Sequence, residues 1–124
     1  DRPKFLASFG KMFYGVNLFS HPVSDEILNT SLAMALNSAG YATLKAMNAW
    51  STTDFRSDLA NVKTPTLVIH GKADENVPID ASSDETVKHI PQAQYIVYDD
   101  APHGLFYTHK HKFNEDLINF INSI

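Results

Sequence analysis

Between residues 62 and 124 the chain alternates strand, helix, strand, helix, and it offers two strands and no third. The first run, "VKTPTLVIHG", is compact and apolar, follows a proline and ends at a glycine, which is the pattern of a strand buried on both faces. "ASSDETVKHI" reads as a helix stopped by Pro91, and "AQYIVYDD" as the second strand. "THKHKFNEDLINFINSI" closes the chain as a helix with Phe113, Leu117, Phe120, Ile121 and Ile124 on one face. This alternation predicts an α/β layer with parallel strands. A two-stranded sheet is marginal on its own, and parallel sheets are covered on both faces. The expectation is therefore the later part of a larger sheet, or a chain that assembles with something supplying the rest.

The first half offers helices in place of the missing strands. Residues 1–24 carry phenylalanines at 5, 9, 13 and 19 among glycines and prolines, and they read as irregular with one short helix. From Ser24 the signal sharpens. Ser24 caps the first amides, Asp25 and Glu26 suit the positive end of the dipole, and Ile27, Leu28, Leu32, Ala35, Leu36 and Ala39 form one stripe. Gly40 is expected to end that helix. A second helix follows through "YATLKAMNAW", with Leu44, Met47 and Trp50 about a turn apart, and a shorter one at "DFRSDL".

Composition narrows the function classes. With 124 residues, 44% of them hydrophobic, and eight phenylalanines, the chain is globular and of single-domain size. A net charge of -4 gives no electrostatic reason to expect nucleic acid or an acidic membrane surface as a partner. The chain has no cysteine, which removes disulfides, thiolate nucleophiles and cysteine metal sites. It shows neither a signal peptide nor an apolar run of spanning length, and the expected location is cytoplasmic.

In a parallel α/β layer, functional groups collect in the loops leaving the carboxyl ends of strands. The first such loop, "HGKADENVP", contains Asp74, Glu75 and the turn-forming Asn76; the second, "DDAPHG", contains His103. A right-handed crossover brings both loops out on the same edge of the sheet. A carboxylate beside an imidazole accepts the Nδ1 hydrogen, fixes the tautomer and stabilises the imidazolium formed when Nε2 takes a proton. Pro102 and Gly104 are expected to hold His103 in a tight exposed turn, the proline through its fixed φ and the glycine through its conformational latitude. The alternative is that Asp74 merely caps a turn and His103 is solvated.

The stretch from Thr53 to the end resembles the C-terminal part of α/β-hydrolase fold enzymes, in particular cofactor-free (non-heme) haloperoxidases and related arylesterases. "HGKADENVP" is similar to the family's loop after its seventh strand, which implies Asp74 as the triad acid; "APHG" is similar to the loop after the eighth, which implies His103 as the triad base. The fold class implied is α/β, a partial α/β-hydrolase fold: a helical cap segment over 1–58, then the last two parallel strands and their helices over 59–124. The nucleophile motif G-x-S-x-G does not occur; Ser38 in "NSAG" is the nearest imitation, and it lies at a helix end. The chain is expected to hold two members of a triad, with the nucleophile in an absent N-terminal half.

The resemblance implies a serine hydrolase of small carboxylic esters with no metal and no organic cofactor, and with a perhydrolase or haloperoxidase side activity when peroxide replaces water. Its expected partners are an ester substrate and either the N-terminal half of the same enzyme or a second copy at the exposed sheet edge. Alternatives are a dehalogenase or amidase on the same fold, or a non-catalytic assembly module. Asp99 and Asp100 are rival acids, disfavoured because they leave the histidine's own strand. His70 is expected to pack beneath the active loop. His109 and His111 lie two apart on a helix, so they do not face each other as metal ligands. Phe13, Phe19, Met34, Met47 and Trp50 are weighed as acyl-pocket residues against the commoner role in a core.

Overall fold

The computed structural model describes all 124 residues. Helix α1 spans Arg2–Phe13, so most of the segment expected to be irregular is one regular helix. The Asp1 side chain accepts the Lys4 N–H at 3.1 Å, and Pro3 sits in the first turn, where an amide has no intrahelical partner to lose. Phe5, Phe9 and Phe13 are four apart and lie along one face, with ring centroids 6.2 and 6.1 Å apart. That spacing is helical, although a proline and a glycine surround it.

Ser24 caps α2, Asp25–Asn37, as expected, its Oγ accepting the Ile27 N–H. Gly40 does not end α2. It opens α3, Gly40–Thr52, after Ser38 turns extended. The last carbonyls of α2 need no glycine because other donors reach them: the Arg2 guanidinium donates to Ala35 O at 3.1 Å and Ser38 O at 2.7 Å, and Ser38 Oγ donates to Ala35 O at 2.7 Å. A single turn, α4, covers Arg56–Leu59.

Strand β1, Leu67–Gly71, runs parallel to β2, Gln94–Tyr98, in the register Leu67↔Gln94 through Gly71↔Tyr98. Between them lie a 3-10 turn, Ile79–Ala81, and helix α5, Ser83–His89, which forms the crossover. The turn α6, Leu105–Thr108, and helix α7, Lys110–Ile121, follow. The sheet has these two strands alone. β1 is half-buried from Leu67 to His70 instead of covered on both faces, because its second edge has no neighbour. The core centres on Tyr98, Ala101 and Leu105, with Ile69, Ile96 and Phe113 packed against it. Ile121 and Ile124, at the far end of the predicted stripe, are exposed. No helix is long and apolar enough to cross a membrane.

Candidate active site

The two strand-exit loops are laced together beyond the last paired residues. Lys72 N–H donates to Tyr98 O at 2.9 Å, and Ala73 N–H donates to Ala101 O at 3.1 Å. Gly71 makes this approach possible, since a Cβ there would lie 2.0 Å from the Ala101 carbonyl oxygen. The lacing sets Asp74 opposite His103.

Asp74 is buried, its side chain 3% exposed, and both oxygens are engaged. Oδ1 accepts the Asn76 and Val77 amides, each at 2.9 Å, which closes the turn. Oδ2 faces His103 Nδ1 at 2.7 Å and His70 Nε2 at 3.2 Å. A carboxylate only accepts, so Nδ1 of His103 carries the hydrogen and Nε2 keeps its lone pair. Asp74 thus caps a turn and holds a histidine at once, so turn capping and contact with His103 are not exclusive.

His103 stands between buried Pro102 and buried Gly104, with its side chain 36% exposed. Gly104 has an ordinary φ of -78°, so conformational latitude is not its role, contrary to expectation. It is needed for close approach: its N–H donates to Phe13 O at 2.7 Å, and a Cβ would lie 2.8 Å from the Tyr14 ring. The end of α1 therefore backs the histidine loop, and the Phe13 ring meets the imidazole at 5.0 Å between centroids and an interplanar angle of 60°. A cleft of about 440 Å³ opens beside the pair, with Ile69, Leu105, Phe106 and Phe113 as its apolar wall.

The remaining sequence candidates fall elsewhere. Asp99 pairs with Lys72 Nζ at 2.6 Å, which holds its carboxyl below the usual range, and Asp100 lies 3.3 Å from His109 Nε2; neither reaches His103. His109 Nδ1 lies 2.8 Å from Thr108 Oγ1, and Ser38 closes α2. Phe19, Met34, Met47 and Trp50 are exposed side chains, so of the five apolar candidates Phe13 alone is in contact with His103. Sequence reasoning missed the contacts of Val77, Ser83 and Gly71; only the glycine at the strand end left a signal.

Residues 32–110 match the family model of the alpha/beta hydrolase fold. The chain belongs to the α/β-hydrolase family. It is 32% identical over 124 residues to the non-heme chloroperoxidase CPO-A1 of Kitasatospora aureofaciens, an alignment that takes 98% of this chain and 45% of that protein. It is 30% identical over 111 residues to the bifunctional esterase/perhydrolase of Acinetobacter calcoaceticus, covering 90% of this chain and 40% of that protein. Among solved structures, the bromoperoxidase from Bacillus anthracis superposes with a TM-score of 0.93 at 36% identity, over 98% of this chain and 44% of the other. The chain thus spans less than half the length of the relatives it matches, and its helical segment and parallel strand pair constitute part of an α/β-hydrolase fold.

Proposed function

We propose that this chain supplies the acid and base of a serine hydrolase acting on small carboxylic esters, with the nucleophile on a segment outside these residues. The observation that carries the reading is the 2.7 Å contact between His103 Nδ1 and Asp74 Oδ2, made while two backbone amides hold the other carboxylate oxygen. The relative named as an esterase/perhydrolase supports the ester class.

In this mechanism His103 Nε2 takes the hydroxyl proton as the nucleophile adds to the ester carbonyl, and Asp74 stabilises the imidazolium. Collapse of the tetrahedral intermediate breaks the ester C–O bond, and the proton on Nε2 leaves with the alcohol. Water then attacks the acyl-enzyme by the same proton path, releasing the acid. Where peroxide attacks in place of water the product is a peracid, a branch supported by the relatives named as perhydrolase and chloroperoxidase. The segment with the nucleophile pairs with the free edge of β1, and the helical segment over 1–58 caps the assembled site.

Rapid mixing of the complete enzyme with p-nitrophenyl acetate tests the acyl-enzyme. A burst of nitrophenol stoichiometric with enzyme, followed by slower turnover, is expected. Hydrolysis with no covalent intermediate under conditions that trap acyl-enzymes would overturn the reading.

A further inference from the structure

We infer that His70 is a positioning residue that holds the triad acid through a polar clamp, an inference that rests on the function proposed above. His70 sits near the end of β1, one residue before Gly71, with its side chain 11% exposed. Expected to be packing, it uses both ring nitrogens. Nε2 lies 3.0 Å from the Val77 carbonyl oxygen and 3.2 Å from Asp74 Oδ2, while Nδ1 lies 2.6 Å from Ser83 Oγ.

These partners assign the tautomer. A carbonyl oxygen only accepts, so Nε2 carries the hydrogen, and in the neutral ring Nδ1 accepts from the Ser83 hydroxyl. The Nε2–H aims at Val77 O, and Asp74 Oδ2 lies 3.2 Å from the same nitrogen. Val77 is itself the residue whose N–H donates to Asp74 Oδ1 at 2.9 Å. His70 therefore holds the residue whose amide fixes Oδ1, and its ring lies against the oxygen that faces His103. Ser83, buried in the first turn of α5, keeps the ring from flipping. The end of β1 thus sets, through His70, the angle at which the carboxylate meets His103, and a misplacement of about 1 Å in such a group costs about a hundredfold in rate.

The test compares three substitutions in the complete enzyme on a short aryl ester, with thermal melting alongside. His70→Leu removes every polar contact of the ring and is expected to lower kcat about ten- to a hundredfold while KM stays within about twofold. His70→Gln keeps an N–H at the Nε2 position and is expected to recover most of kcat; His70→Asn reaches only the Nδ1 position and is expected to fall with the leucine variant. If His70→Leu does not fold, the glutamine and asparagine variants decide the matter by themselves. Equal kcat in those two, or an unaltered kcat in His70→Leu, overturns the positioning role. His103→Ala is the control: full turnover there sinks the proposed function, whereas lost turnover there with an active His70→Asn enzyme sinks the clamp alone.

Discussion

Asp74 Oδ1 accepts two backbone amides and Oδ2 accepts from His103, with His70 Nε2 3.2 Å away, so the carboxylate cannot rotate without giving up a partner. The proposed mechanism depends on that immobility. Asp74→Asn keeps the size but presents an amide that reverses the donor pattern at Nδ1, and a loss of about 10⁴-fold in kcat of the complete enzyme is expected; a loss under tenfold would mean that the carboxylate does not set the tautomer. Gly71→Ala is expected to be severe for a different reason. The added methyl meets backbone at 2.0 Å, which no side-chain rotation relieves, so the laced loops must part and the melting temperature must fall together with activity. At this scale the sequence pointed to Asp74 and His103, which the fold brings within 2.7 Å, because their loops follow strands and their residue types suit one chemistry. It could not reveal Val77 or Ser83, whose contributions are a carbonyl oxygen and a hydroxyl brought in by the fold. Asn76 was legible as a turn former, yet its side-chain amide atoms are buried without a partner, which no turn rule anticipates.

The helices are pinned to the sheet by two phenols. Tyr98 OH donates to Asp116 Oδ2 at 2.6 Å on α7, where Lys112 also donates, and Tyr95 OH donates to Asp84 Oδ1 at 2.8 Å on α5. Burial, and then the hydrogen bond to a carboxylate, raises both phenols, Tyr95 to about 12. A raised acid keeps its proton in the folded chain while the unfolded chain releases it near pH 10, so this contribution is present below about pH 10 and falls as pH rises further. Denaturant midpoints measured from pH 9 to 12 should decline, and Tyr98→Phe should flatten the decline; an equally steep curve in that variant would contradict the assignment. Asp116 behaves in the opposite sense. The hydrogen bond from Lys112, then that from Tyr98, holds its carboxyl below the usual range, so its contribution is present above about pH 4 and is lost in acid. Element type was readable from residue 24 onward, where caps and stripes agree, although not every boundary was. It failed at α1 and at Gly40 because a proline and a glycine were given their commonest meaning, whereas position in the first turn and capping by Arg2 from a distant segment decided the outcome.

Only 11 of 124 residues are buried, which is too few for the chain to close a core of its own size. Phe5, Leu44 and Trp50 are 59%, 68% and 65% exposed, and β1 keeps an unpaired edge. The sequence foretold this shortfall through its strand count alone, although not which surfaces stay open. The isolated chain is expected to self-associate in sedimentation velocity and to bind a hydrophobic dye, and a complementary segment carrying the nucleophile should suppress both. A stable, dye-silent monomer would show that these surfaces need no cover. In the proposed function His103, held by Asp74, is the base of the assembled enzyme. The most direct measurement is the turnover of a short aryl ester by the complete enzyme with and without His103→Ala, at matched folding and assembly. Loss of all but a residual rate is expected in the variant, and undiminished turnover would contradict the assignment of His103.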